Sequence, residues 1–164
     1  MRPYLVDSNF FIQASRAYYP LDVAPGFWKK VQQLAGDGKI ASIDKVRDEL
    51  SKNKDDLQSW IDDNLDDDFW KDTSTVLHEY GRIAAWAASK SSHYKPKAIN
   101  EFLDAAEADA WLIAYALAHK LTIVTYEVSA PDGKSKIKIP DVCNQFKIPH
   151  VNTIQMLRDL GERF

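Results

Sequence analysis

Short apolar runs alternate with longer amphipathic stretches along the whole chain. Tyr4-Leu5-Val6 has the length of a buried strand and stops at Asp7-Ser8-Asn9, residues that favour turns and helix caps. Phe10-Phe11-Ile12 then opens a helix. Beyond Pro20 and Pro25-Gly26, the residues Phe27, Trp28, Val31 and Leu34 recur at helical spacing until Gly36 and Gly38 end the pattern. Lys39 to Ile43 predicts a second strand, followed by a helix carrying Val46, Glu49 and Leu50. The middle, roughly 52–97, reads as polar helix anchored by Trp60, Ile61, Leu65, Phe69 and Trp70. A further helix is predicted over Thr75 to Ala88, and Ser89 to Lys97 is a basic loop rich in helix breakers.

The last third is patterned most plainly. Asp104-Ala-Ala-Glu107 has the form of a capping box and predicts a helix from there to about His119. Leu121 to Thr125 is a β-branched strand, Pro131-Asp132-Gly133 a turn, and Lys134 to Lys138 a basic segment. A short helix over 141–146, a strand over 148–151, and a helix over 154–160 capped by Thr153 complete the chain. Strands alternating with helices predict an α/β fold with a mostly parallel sheet covered on both faces.

Composition narrows the class. A chain of 164 residues, 45% hydrophobic, is long enough for one domain spanning 1–164 with its own core. The formal net charge of -3 excludes a strongly basic nucleic-acid binder, so phosphate contacts must come from local basic clusters or from bound metal. Cys143 is the only cysteine, which excludes an intrachain disulfide and a cysteine-built zinc site. The opening Met1 to Asp7 lacks the apolar core of a signal peptide, and the longest apolar run, Ala110 to Ala118, is far short of the ~20 residues that cross a bilayer. A cytoplasmic address without membrane association is expected.

The chemistry-bearing residues are acids. Open parallel sheets bind ligands in the crevice beyond the carboxyl ends of their strands, and Asp7 and Glu127 each lie just past such an end. Asp109 lies among the apolar neighbours Leu112, Ile113 and Ala116, where a carboxylate needs a partner. Glu49 follows the second strand, with Asp48 as its rival about 100° away on the helix. Oxygen-only clusters of this kind hold Mg²⁺ or Mn²⁺. Each acid also has a plain structural role open to it: Asp7 as a helix cap, Asp109 as an answer to the helix dipole, Glu49 and Glu127 as solvated surface groups. Ser8, Asn9 and Thr125 are placed to support the carboxylates, and Arg16, Lys134, Lys136 and Lys138 to meet phosphates. The run Asp62, Asp63 and Asp66 to Asp68 reads as a solvated helix face. Four scattered histidines, without ligand spacing or a Ser or Cys nucleophile context, leave a hydrolytic triad unsupported, and no glycine-rich phosphate loop occurs. Trp28, Trp60, Trp86 and Trp111 are expected in the core.

Val6-Asp7-Ser8-Asn9-Phe10-Phe11-Ile12 resembles the opening motif of PIN-domain nucleases. The stretch from Ala108-Asp109 through Thr125-Tyr126-Glu127 is similar to that family's third and fourth motifs, in register, and Glu49-Leu50 looks like its second acid. Tyr18-Tyr19-Pro20 with Pro25 to Trp28 resembles a bacterial PIN-like subgroup of unassigned function related to toxins. The resemblance spans nearly the whole chain. It implies a three-layer α/β/α PIN-like fold around a central, mostly parallel sheet of about five strands. It further implies a Mg²⁺- or Mn²⁺-dependent ribonuclease using Asp7, Glu49, Asp109 and Glu127 on single-stranded RNA. The expected partners are the RNA, an antitoxin protein and, as a homodimer, a second copy of the chain. Two features depart from the family pattern: Glu127 stands where Asp is commoner, and the helical middle is longer than in minimal toxins. A PIN-fold module that has lost catalysis and binds RNA or protein is the alternative reading. A phosphatase with Asp7 as nucleophile is disfavoured because Asn9 occupies the place of its second acid, and a receiver domain because no acid pair precedes Asp7.

Overall fold

A computed structural model describes residues 2–164. The apolar runs form five parallel strands: β1 Tyr4–Val6, β2 Ile40–Ile43, β3 Trp70–Lys71, β4 Ile123–Val124 and β5 His150–Val151. Their order across the sheet is β3-β2-β1-β4-β5. The chain starts in the centre, builds outward to β3, then crosses back to the other side of β1 to add β4 and β5. Leu5 and Val6 pair with Ile123 and Val124, so β1 and β4 lie side by side where the direction of winding reverses.

Nine α-helices flank the sheet among the described residues, giving three α/β/α layers. They are α1 Ser8–Gln13, α2 Pro25–Gly36, α3 Asp44–Ser51, α4 Asp56–Asn64, α5 Leu77–Ala88, α6 Pro96–Phe102, α7 Asp109–His119, α8 Ile139–Phe146 and α9 Thr153–Leu160. Every residue of β2 is buried, as a strand covered on both faces must be. Helix α7 buries Ala110 through Ala114 in succession, the signature of a helix enclosed by protein rather than lying on the surface. It packs on α5 and α8, and Trp111 stacks on Tyr80 of α5 at 3.9 Å between ring centroids. Of the other tryptophans, Trp28 is buried while Trp60 and Trp86 are half-buried.

Several local expectations are corrected. Trp70-Lys71, read as part of a helical middle, is the edge strand β3; two residues cannot show a period, and the pairing with Ser42 and Ile43 is non-local. Pro96, read as a breaker, sits in the first turn of α6, where its missing N–H costs nothing. Helix α7 starts at Asp109 rather than Asp104, whose carboxylate accepts from the Ala106 amide in a local turn. Asn152, not Thr153, caps α9 by accepting from the Gln155 amide at 2.8 Å. Among the described residues no helix is long and apolar enough to cross a membrane.

Candidate functional site

The carboxyl ends of β1 and β4 meet at the reversal of the sheet, the place where open α/β sheets form their binding crevice. β1 ends in Asp7, which is 2% exposed and caps α1: its Oδ1 accepts from the Phe10 amide at 2.8 Å. The capping role is therefore real, yet it uses one oxygen only. Oδ2 is buried and accepts no hydrogen bond; the nearby Thr125 hydroxyl favours the charged carboxylate without making a bond of good geometry to it.

From the end of β4, Thr125 turns the chain back. Its amide donates to the Val151 carbonyl and its Oγ1 accepts from the Glu127 amide at 3.1 Å. That short loop folds Glu127 inward, leaving its side chain 7% exposed with neither carboxylate oxygen hydrogen-bonded. The nearest countercharge is Lys136 Nζ, 3.5 Å from Glu127 Oε1.

Glu49, in the last turns of α3, reaches two other elements. Its Oε2 accepts from Ser8 Oγ at 2.6 Å and its Oε1 from the Ala108 amide at 2.8 Å. Ala108 precedes α7 and offers no side-chain cap, so Glu49 supplies one from outside the helix. Its rival Asp48 is exposed. Asp109, the first residue of α7, completes the group.

Electrostatics bind these acids into one cluster. Burial pushes the Asp7 carboxyl up to about 7, with the Thr125 hydroxyl and Phe10 amide pulling down and Glu127 pushing up. Asp109 is pushed up to about 8, by burial first, then by Glu127 and Asp7, with Lys136 opposing and Glu49 adding to the rise. Like charges gathered out of water favour protonation. Burial, with Glu127 nearby, raises the fully buried Cys143 thiol to about 12, which leaves it unreactive.

The structure thus brings Asp7, Asp109 and Glu127 together, with Glu49 braced at their side through Ser8 and Ala108. Among the described residues, no three His, Cys, Asp or Glu side chains are arranged closely enough to grip an ion as they stand. The reason is local: Glu49 is spent on Ser8 and Ala108, Glu127 leans toward Lys136, and bare carboxylates repel. Asn9 stands half-buried in the first turn of α1.

A cleft of about 450 Å³ opens beside the acids, lined by Ala98, Glu101 and Phe102 of α6 together with Glu107, Asp109, Lys136 and Ile137. Of the basic candidates, Lys136 alone faces this cleft. Arg16 lines a separate hollow with Asp22, Asp55 and Asp56, Lys134 is exposed with its carbonyl accepting from the Lys95 amide, and Lys138 precedes α8. The aspartates of 62–68 are exposed; Asp67 pairs with Arg47 and Asp62 accepts from the Gln58 side-chain amide.

Sequence reasoning missed one contributor and misassigned the pairing of another. Glu107, dismissed as part of a capping box, lines the cleft, and its carboxyl is raised by burial and by Glu49; its spacing two residues before Asp109 was the available signal. Lys136 was read as a phosphate contact, and nothing in a loop sequence forecasts its pairing with Glu127.

One family model, described as a domain of unknown function (DUF4411), matches residues 4–164. No curated protein and no solved structure matches the chain.

Proposed function

The chain belongs to the DUF4411 family, and we propose that this member is a metal-dependent endoribonuclease of the PIN type, the toxin of a toxin–antitoxin pair, cleaving single-stranded RNA in the cytoplasm. The observation that supports this reading is the set of buried carboxylate oxygens without hydrogen-bond partners, Asp7 Oδ2 with Glu127 Oε1 and Oε2, beside the raised carboxyl of Asp109. A buried acceptor left unmet costs about 1–3 kcal/mol. Folds keep such groups where a ligand meets them.

The donor set fits a hard divalent cation, Mg²⁺ or Mn²⁺, because it is all oxygen, anionic and short of positive charge. Asp7, Asp109 and Glu127 would hold the ion, with Glu49 beside them. When bound, such an ion lowers the pKa of a coordinated water and offsets charge on the phosphate oxygens. The rest falls to the chain. Glu49 fixes the start of α7 and the first turn of α1, so that Asp109 and Asp7 keep their places. Lys136, at the mouth of the cleft, is positioned for a phosphate once it leaves Glu127.

The Lys136–Glu127 contact also favours a second reading: a PIN-fold module in which an internal cation neutralises the acids and RNA or protein is bound without cleavage. One experiment separates the two. Purified protein is mixed with unstructured oligoribonucleotides and Mn²⁺, beside an Asp109→Asn control. Metal-dependent cleavage lost in the control supports the nuclease. Binding without cleavage supports the module, and neither would end the nuclease reading and the RNA-binding form of the module. Sequencing RNA ends after induced expression, with Asp7→Ala as control, then names the target.

A further inference from the structure

Tyr18 is 60% exposed, unusual for a ring that is already stacked on another. Its partner is Tyr126, at 5.0 Å between centroids and 17° between planes. Tyr126 is the residue between Thr125 and Glu127, in the turn that folds the fourth acid inward. The ring is half-buried; its hydroxyl is raised above its ordinary value mainly by burial, with Asp7 among the charges that add to the effect. Tyr18 therefore rests on the residue that precedes Glu127 in the chain, while most of its surface stays open to solvent.

The backbone aims Tyr18 there by an uncommon device. Residues Ala14–Tyr18 form a π-helical turn closed by the Tyr19 amide donating to the Ala14 carbonyl at 2.7 Å. An extra residue per turn rotates everything beyond it, and such turns concentrate at functional sites. Tyr19 then turns inward onto Phe27, with rings 4.2 Å apart, which fixes the end of the turn and leaves Tyr18 outward.

We propose that the open face of Tyr18 is a platform on which an unpaired base of the RNA stacks, adjacent to the phosphate held at Asp7, Asp109 and Glu127. The proposal rests on the nuclease reading and deepens it. It makes single-strandedness a requirement of this chain's own surface, since a base already stacked within a duplex cannot lie on the ring. Stacking is tolerant of base identity, so the platform selects strand state and position rather than sequence.

The test uses the full chain carrying Asp109→Asn, which binds without cutting, and an oligoribonucleotide containing 2-aminopurine, whose fluorescence is quenched by stacking. Tyr18→Ala should weaken binding roughly ten- to a hundredfold and abolish the quench, whereas Tyr18→Phe stays within about twofold. In the chain with Asp109 intact, Tyr18→Ala should raise KM and leave kcat unchanged. Melting curves check that each variant folds, as expected for an exposed side chain. If the Asp109→Asn chain binds and quenches while Tyr18→Ala does the same, the platform is wrong and the nuclease reading stands. If the unaltered chain neither binds nor cleaves single-stranded RNA, the reading beneath it fails and the platform with it.

Discussion

Helix α1 joins two regions that handle their side chains in opposite ways. Phe10 and Phe11, at its centre, enter an aromatic layer in which almost every demand is met. Phe10 packs edge-on to Phe11 at 5.1 Å, Phe11 meets Phe69, Phe27 meets Trp28, and Trp28 meets Trp60 at 4.9 Å. The Trp28 indole N–H donates to the Tyr19 carbonyl at 2.6 Å. Three residues before Phe10 lies Asp7, with a buried oxygen that accepts nothing. The layer leaves one neutral donor unmet, the buried Trp70 indole N–H, whereas the start of the helix leaves a carboxylate oxygen without a partner. The difference shows where the molecule keeps stability and where it gives stability up, and such local deficits mark functional sites.

The widest gap between the two regions should appear on deleting a side chain from the layer. Phe11→Ala is expected to cost about 3–5 kcal/mol, because the cavity is walled by rigid rings. Urea unfolding measures it, and a loss below 1 kcal/mol would mean the layer is looser than its contacts show.

Filling the deficit should work in the opposite sense. Mn²⁺ or Mg²⁺ at about 100 times its dissociation constant should add roughly 2.7 kcal/mol, raising Tm, and Asp7→Asn should remove most of that gain. A melting temperature indifferent to both ions would argue against the metal reading.

A third effect comes from pH. Asp7 and Asp109, raised to about 7 and about 8 from an ordinary 3.8, bind protons more tightly folded than unfolded. The stability they contribute is intact below about pH 4 and is lost as pH rises through their folded values. Metal-free protein should therefore lose stability between about pH 4 and pH 8. Asp109→Asn should melt several degrees higher than the parent at pH 8, at about 2–4 °C per kcal/mol, and equally near pH 4. A parent chain that is more stable at pH 8 than at pH 5 without metal would contradict the geometry.

Smallest is the effect of Lys136→Gln. The lysine is half exposed, so its pair with Glu127 is worth about 0–1 kcal/mol after solvent screening. Without metal the variant should melt slightly lower. With metal its Tm gain should be larger, since no ammonium competes for Glu127.

The same contrast governs what the sequence disclosed. Strands β1, β2 and β4 were legible because buried parallel strands are apolar runs, β5 because Ile148 to Val151 follows a helix in the alternating pattern, and α2 and α5 because Trp28, Val31 and Ile83 keep a helical period. β3 was hidden, since Trp70-Lys71 is too short to carry a period and exists through pairing with β2. α6 was hidden behind a proline whose meaning depends on which side of it the helix lies. For the site, carboxylates ending apolar strands were visible as anomalies, and the winding reversal that gathers them follows from strand order. The contacts of Glu49 with Ser8 and Ala108 span 41 and 59 residues, and that of Glu127 with Lys136 depends on loop shape. No local pattern carries such information.

Those long spans have a kinetic consequence. Glu49 can brace the site only after two large loops have closed, and the cleft also needs residues as far along the chain as Ile137. Loop closure costs entropy that is recovered only when the distant contact forms. A chain still emerging from the ribosome, at about 5–20 residues per second, therefore carries scattered acids and no assembled cleft. The geometry of the acid cluster arrives only once those distant contacts have formed.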